Sequence, residues 1–394
     1  MPTSPRSLAL ALAPGTLLAG IAGGIVFPIF PIVGEQVGLS LAFIGVILAA
    51  NRAARVLCAP VIGVVADRIG GRRTLLVGLA VQIVVMALYW VGLVTHHEGA
   101  LFLAGRILHG PGSACVFIAA STLALQAGGG ATAAAIRASI VIGVPIGFVI
   151  GGLVSEAVGN AGMFAIADAA VVIALGAAWF SVPDLRAPVS MRPHILASLR
   201  ELRDRRLVGV GGLNFALGFA AGGMVLSTLG FLVASRHLVV FGRDERGTSG
   251  LLMAVLSITD ASFTTFAGRY GDRHRAHARV AAVSLAVVAL GLVVIALAGE
   301  ALGTAGGIAL VGLGTAGLGP SVLVLTGAIV PAERRGTAAG LLQLCGDAGG
   351  ALGPLVGTAL FATTTELPYL LTAGFVLCFV PVAVWLARVE RAAT

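Results

Sequence analysis

The chain has 394 residues, of which 58% are hydrophobic and 11% charged, and its mean hydropathy is +1.03. A soluble domain must cover its core with polar surface, so this composition excludes a soluble globular protein and indicates an integral membrane protein. The formal net charge is +8, but every basic residue is an arginine and most stand in short connections. That distribution excludes the continuous basic surface of a nucleic-acid-binding protein.

Apolar runs of about 20 residues recur along the chain, each long enough to cross a hydrocarbon core of roughly 30 Å as a helix. The predicted fold class is therefore an all-α membrane protein with twelve transmembrane helices. The first run is longer than a signal peptide and leads into further spans, which favours an uncleaved first helix. The predicted spans are 8–33, 41–66, 74–95, 100–126, 134–157, 161–182, 207–234, 248–268, 280–299, 302–330, 337–362 and 368–387.

The connecting arginines predict the orientation of these spans. If the N-terminus is cytoplasmic, nearly all of them fall on the cytoplasmic side, and the opposite side has arginines only in the connection after the seventh span. By the positive-inside rule, both termini are predicted to be cytoplasmic, in a membrane of the bacterial inner-membrane type.

The second span carries Asn51, Arg52 and Arg55 over one helical sector of an otherwise apolar segment. An arginine at the centre of a span costs about 2.5–3.5 kcal/mol, so its presence indicates a function. Because the planar guanidinium suits a carboxylate or phosphate, we predict an anionic or zwitterionic substrate that contacts Asn51 and Arg52. A structural role for one of the two arginines is the alternative.

The fourth span contributes Arg106 and His109, one helical turn apart. Both residues are candidate substrate contacts. Histidine titrates near neutral pH and can also pass a proton. A hydrogen-bonded packing role for His109 is the alternative. In the sixth span, Asp168 is expected to be a structural partner.

The longest cytoplasmic connection divides the chain into an N-terminal six-helix half (1–183), a linker with a short interfacial helix (184–206) and a C-terminal six-helix half (207–394). The halves repeat at an offset of about 205 residues, which is typical of transporters built from two repeats. The matching positions are Gly63, Asp67 and Arg68 in the first half and Gly268, Asp272 and Arg273 in the second.

Two carboxylates lie inside spans of the second half. Asp260 occupies the repeat position of Arg55. Asp347 lies at the same depth as Arg55, because each is roughly 17–18 Å from the cytoplasmic end of its span at 1.5 Å per residue. Because an apolar cavity favours the protonated carboxyl, Asp260 and Asp347 are candidate proton carriers. Arg55 and Asp347 are also a candidate charge pair between the halves, and a salt bridge without a transport role is the alternative.

Glycines at every fourth position give the fifth and eleventh spans a smooth face, which allows another helix to approach closely. We expect these faces to pack the two halves against each other. The residues concerned are Gly143, Gly147, Gly151, Gly349, Gly353, Pro354 and Gly357.

Three motifs together resemble those of the major facilitator superfamily. "GVVADRIGGRR" resembles the family's loop after the second helix, "RILHGPG" its R-x-x-x-G element, and "GGALGPLVG" the glycine helix of proton-coupled drug antiporters, which in those proteins is the fifth helix. The resemblance covers essentially the whole chain and implies two pseudo-symmetric six-helix halves. It also implies that the loop latches the halves in the outward-facing state, through Gly63, Asp67, Arg68 and Arg72.

These features predict a secondary active transporter, with proton-coupled efflux (antiport) of a small organic compound by alternating access. The expected partners are a small-molecule substrate, protons and the lipid bilayer, with no nucleic acid and no required oligomer. Proton-coupled uptake (symport) of an organic anion or other metabolite is the alternative, and a non-transporting receptor or scaffold is a third. No enzyme activity, cofactor or metal is predicted, because no catalytic constellation is present and the GxGxxG sequence "GLGTAG" lies in an apolar span without a preceding strand.

Overall fold

The computed structural model describes residues 5–126, 130–182, 204–330 and 335–392. All regular structure in these ranges is helical. Eleven helical segments in the described part of the chain are long and apolar enough to cross a membrane. The predicted all-α membrane architecture is confirmed. The predicted linker helix lies outside the described residues, apart from the last three residues of 184–206.

Contacts divide the chain into two units. Unit 1 comprises residues 1–40 and 46–193, and unit 2 comprises residues 41–45 and 194–394. The predicted half boundaries at 183 and 207 stay a prediction. The helices of the first part of the chain are α1 Pro5–Gln36, α2 Leu41–Ile69, α3 Gly71–Thr95, α4 Glu98–Gln126 and α5 Gly130–Ser181.

The long helix α5 is two helices joined at Gly159. This residue has φ 74° and ψ 168°, a backbone conformation that residues with a Cβ rarely adopt. It interrupts the helix. The apolar segment Ile142–Ser181 of 40 residues therefore holds two of the predicted spans, the fifth and the sixth. With α5 divided at this glycine, the eleven segments correspond to the twelve predicted spans.

In the second part of the chain, the predicted seventh span is a composite of α-helix, π-helix and α-helix, and the twelfth has a break at Cys378 and Phe379. A π-helical segment of eight residues is rare and marks a local change in backbone register. The elements are α6 Arg205–Leu217, π1 Gly218–Val225, α7 Leu226–Ser235, α8 Glu245–His274, α9 His277–Leu297, α10 Ala301–Ile329, α11 Arg335–Phe361, α12 Leu367–Leu377 and α13 Val380–Ala392.

In unit 1 the glycine face of α5 packs against α1. A Cβ on Gly151 would lie 2.7 Å from the carbonyl oxygen of Ile25, and one on Gly143 would lie 2.9 Å from the backbone nitrogen of Ile21. Gly147 meets the backbone of Ile21 in the same way. Because no side chain intervenes, the two backbones touch directly.

The equivalent face of α11 packs against π1 in unit 2. A Cβ on Gly353 would lie 2.6 Å from the Cα of Gly223 and 2.7 Å from the backbone nitrogen of Met224. Gly357 contacts the Met224 side chain, and Pro354 lies beside Gly223. Each of these glycine faces packs on a helix of its own unit, and the expectation that the faces pack the halves together stays a prediction. Periodicity identifies a smooth face, but it does not identify which helix lies on it.

Arg236, which follows α7, binds the C-terminal end of α9. Its guanidinium donates to the carbonyls of Ile295 at 3.0 Å and Ala296 at 2.8 Å, and also to that of Ala298. It pairs with Glu366 at 3.1 Å, just before α12. The pKa of Glu366 is held below its usual range, first by the hydroxyl of the adjacent threonine and also by Arg236. A cation is favourable beside the unpaired carbonyls at the C-terminal end of a helix. Arg236 therefore links the ends of α7 and α9 to the start of α12.

We predict that Gly353→Ala destabilises the protein by about 1–3 kcal/mol, because backbone atoms of π1 occupy the space of the new methyl group. Gly374→Ala is the matched control, since a Cβ there would have no atom within 4 Å and alanine favours a helix. Thermal unfolding in detergent should show a lower Tm for the first variant and an equal or higher Tm for the second. Equal effects of the two changes would contradict the packing described.

We predict that Arg236→Ala lowers the free energy of unfolding by about 1.5–3 kcal/mol, because hydrogen bonds from a charged donor to open carbonyls are lost. Arg269→Ala, at an exposed position, removes the same charge as a control. Because the pKa of Glu366 is lowered in the folded protein, its contribution is present at neutral pH and is lost as the pH falls through that pKa. Unfolding curves at neutral and acid pH should therefore differ less for Glu366→Gln than for the wild type.

Candidate substrate and proton sites

Helices α2 and α4 are in backbone contact at Gly110, the glycine of the R-x-x-x-G element. A Cβ here would lie 2.6 Å from the carbonyl oxygen of Asn51 and 2.9 Å from the backbone nitrogen of Arg55. The close approach places Arg106 and His109 of α4 beside the polar sector of α2.

Arg106 is 1% exposed and is held by the backbone of α2. Its Nε donates to the carbonyl of Ile47 at 3.4 Å, and its Nη2 donates to that of Leu48 at 3.1 Å. The guanidinium carbon also lies 5.4 Å from the ring centre of Phe27 and 6.0 Å from that of Phe30. These carbonyls and ring faces offset part of the cost of burying the cation.

Asn51 and His109 form a buried hydrogen bond, and each is 6% exposed. The amide nitrogen of Asn51 faces Nδ1 of the imidazole. An amide nitrogen only donates, so Nδ1 is the acceptor and the ring proton of the neutral histidine is on Nε2. The structure therefore brings together two residues that lie 58 positions apart in the sequence.

The two arginines in the middle of α2 are less deeply placed, since Arg52 and Arg55 are both partly buried. The guanidinium carbon of Arg55 lies 5.8 Å from the ring centre of Phe117 on α4, a cation–π distance. Of the four residues predicted to contact substrate, Arg52 alone is partly exposed, whereas Asn51, Arg106 and His109 are buried. The substrate-binding role of all four stays a prediction.

In unit 2, Asp260 of α8 is bound by Thr315 of α10. The threonine hydroxyl donates to Oδ1 of the partly buried aspartate at 2.9 Å. Thr264, one turn further along α8, donates its hydroxyl to the backbone carbonyl of Asp260 at 2.7 Å and not to the carboxylate. Thr315 was not predicted from the sequence; it lies inside "GLGTAG", where a Cβ on Gly312 would lie 2.5 Å from the Leu256 carbonyl oxygen. That motif therefore brings α10 onto α8.

Asp347 of α11 is 3% exposed. It belongs to unit 2, whereas Arg55 belongs to unit 1. The predicted charge pair between them stays a prediction, as does the proton-carrying role of both aspartates. Asp168 in α5 is partly buried, and no described group bonds its Oδ1.

The predicted latch residues lie at the end of α2 and the start of α3, and one of them makes contacts with α5. Arg72 donates from Nη2 to the carbonyl of Trp179 at 2.6 Å, near the end of α5, and its guanidinium carbon lies 5.9 Å from the Trp179 ring centre. Arg68 is exposed, Gly63 faces open space, and the side chain of Asp67 lies outside the described residues. The latch stays a prediction.

Two all-helical units, each with ionisable side chains enclosed between membrane-spanning helices, define the class as a polytopic membrane transport protein. A family model described as Major Facilitator Superfamily matches residues 12–249 and 242–394. The chain therefore belongs to the major facilitator superfamily, and the predicted family is confirmed.

Proteins of similar sequence or fold align with most of the chain. The class G tetracycline resistance protein of Vibrio anguillarum is 27% identical over 371 residues, which cover 86% of this chain and 87% of that protein. A homologue of the multidrug resistance efflux pump PmrA from Lactococcus lactis is 25% identical and covers 88% of this chain and 86% of its own length. The crystal structure of the nucleoside transporter NupG has the same fold, with a TM-score of 0.76 at 16% identity over 98% of this chain and 99% of NupG.

We predict that the imidazole proton of His109 is on Nε2, because the Asn51 amide nitrogen faces Nδ1. Nitrogen NMR of histidine-labelled protein reports the tautomer, and a His109→Gln spectrum identifies which signal belongs to this residue. In Asn51→Leu the Nδ1 signal should shift, because its donor is lost. A proton on Nδ1 in the wild type would mean that Asn51 presents its oxygen instead.

Proposed function

We propose that the chain is a proton-coupled exporter of small organic compounds that works by alternating access. The observation that carries this proposal is the likeness, over most of the chain, to two proteins whose names assign them tetracycline resistance and multidrug efflux. A secondary transporter of this kind needs a group that can carry a proton and a group that can hold the substrate.

Asp260 is our candidate for the proton carrier. Its described side-chain partner is the neutral hydroxyl of Thr315, which can donate to a carboxylate and accept from a carboxylic acid. Both protonation states of Asp260 therefore keep a hydrogen bond, whereas an arginine partner would stabilise only the ionised form. Asp347 is the second candidate, in the predicted pair with Arg55.

Arg52 is our candidate for the substrate contact. It is partly exposed, it stays ionised, and its planar fork matches a carboxylate or phosphate. Asn51, bonded to His109, and Arg106, bonded to the α2 backbone, position the helix that carries it. The proposed substrate is thus anionic or zwitterionic, and the proposed location is a bacterial-type inner membrane with both termini in the cytoplasm.

The direction of coupling is tested in proteoliposomes with an imposed pH gradient and a panel of anionic, zwitterionic and cationic compounds. We expect substrate to move in the opposite direction to protons, and anionic or zwitterionic members of the panel to be transported best. Parallel movement would overturn export in favour of proton-coupled uptake.

We predict that Asp260→Asn reduces proton-driven transport at least tenfold, because an amide cannot bind and release a proton. Substrate binding should be retained. Thr315→Val should reduce transport less, because it removes the hydrogen bond but leaves the carboxyl. Asp204→Asn is the matched control, since Asp204 caps α6 through the backbone N–H of Arg206 at 2.8 Å and asparagine caps a helix equally well. Unchanged proton coupling in Asp260→Asn would remove this residue from the mechanism.

A further inference from the structure

Three buried hydrogen-bond donors gather in unit 1 without an acceptor. They are the hydroxyl of Tyr89, Nη1 of Arg106 and Nε2 of His109, and none of the described residues bonds any of them. Tyr89 is 0% exposed and the other two side chains are almost as deeply buried. A buried donor that is left unpaired costs about 1–3 kcal/mol, so three in one place call for an explanation.

The helices bring these donors to one another. Tyr89 of α3 lies against Gly105 of α4, where a Cβ would be 2.9 Å from its Cδ1, and its ring centre is 5.0 Å from that of Phe30. From this position the Tyr89 hydroxyl faces the guanidinium of Arg106. His109 follows one turn later on α4 and lies in the electrostatic field of Arg106.

Arg106 and His109 can only donate here, and the Tyr89 hydroxyl, which can also accept from the guanidinium, has a hydrogen of its own to offer to a shared occupant. The carbonyls of Ile47 and Leu48 accept hydrogen bonds from Nε and Nη2 of Arg106, which leaves the hydrogens of Nη1 to be donated elsewhere. The amide of Asn51 donates to Nδ1 of His109, so the ring proton is on Nε2. The Tyr89 hydroxyl can rotate its hydrogen towards the same point.

The charge balance points in the same direction. Arg106 stays protonated, and no carboxylate pairs with it in the described part of unit 1. A water molecule would accept hydrogen bonds but would bring two hydrogens of its own and leave the buried cation uncompensated. An anion would accept from all three donors and neutralise the guanidinium.

We propose that unit 1 binds a small monovalent anion of the halide class between Tyr89, Arg106 and His109. The aromatic rings around Arg106 leave it 1% exposed, which suits a small dehydrated ion and excludes a bulky organic substrate in this conformation. The ion holds α3 and α4 together at the level where α4 contacts α2. The site does not depend on the proposed export function.

The test uses the purified full chain in detergent, with sodium chloride, sodium bromide or sodium gluconate at constant ionic strength. A ligand that binds only the folded state raises the Tm in a saturable way. We expect such a rise with chloride and bromide and not with gluconate. We also expect crystals grown in bromide to give an anomalous peak beside Arg106.

Tyr89→Phe removes one donor and no hydrogen bond to a described residue, so this variant should fold. We expect it to raise the halide concentration at half effect about tenfold or more, because a hydrogen bond to an ion is lost. Tyr369→Phe is the matched control, because this equally buried tyrosine of unit 2 receives a hydrogen bond from Thr228 at 3.0 Å. It should lower the Tm by the same amount in all three salts.

Each contrary result overturns the proposal. Equal Tm values in halide and gluconate would leave water as the occupant. A halide effect of equal size in Tyr89→Phe and the wild type would make it a general salt effect. Stabilisation by an organic anion but not by halide would assign the donors to substrate. Because none of these measurements involves transport, failure here is distinguishable from failure of the export proposal.

Discussion

A bilayer gives helices no hydrophobic reason to associate and no solvent to satisfy a stray polar group, so close packing must supply both stability and order. In this chain the packing is achieved by direct backbone contact. Gly151 lies on the backbone of Ile25 in unit 1, and Gly353 lies on that of Gly223 in unit 2. The two contacts join the fifth to the first span and the eleventh to the seventh. Each unit is therefore built around a pair of helices that no side chain separates.

The same close approach allows ionisable side chains inside the spans, and the two units do this with opposite charges. In unit 1, Gly110 lets α4 reach α2, where backbone carbonyls receive Arg106. In unit 2, Gly312 lets α10 reach α8, where the Thr315 hydroxyl donates a hydrogen bond to the carboxylate of Asp260. A permanent cation beside carbonyls is a fixed feature, whereas a carboxylate beside a hydroxyl can change its protonation. The two units thus differ in the sign of the charge that they enclose at these helix contacts.

The number of spans and the all-helical fold were predictable because length and hydropathy decide whether a segment crosses a membrane. The glycine faces were predictable as faces, but their partners were not, because the contacts of Gly143 and Gly353 depend on helices far away in the sequence. For the same reason the threonine beside Asp260 was missed, since Thr315 lies 55 residues away and on another span. The polar sector of the second span was recognised from composition. The buried bond between Asn51 and His109 required the structure.

The joint at Gly159 has a consequence for engineering the protein. One residue with a positive φ separates two spans, and helical structure continues on both sides of it. An inserted tag or label at this point would have no other non-helical residue to connect it to the two spans. The turn between α7 and α8, with exposed Phe241 and Gly242, has chain that is not part of any helix. Reporter sequences for mapping the orientation of the spans belong in that turn rather than at Gly159.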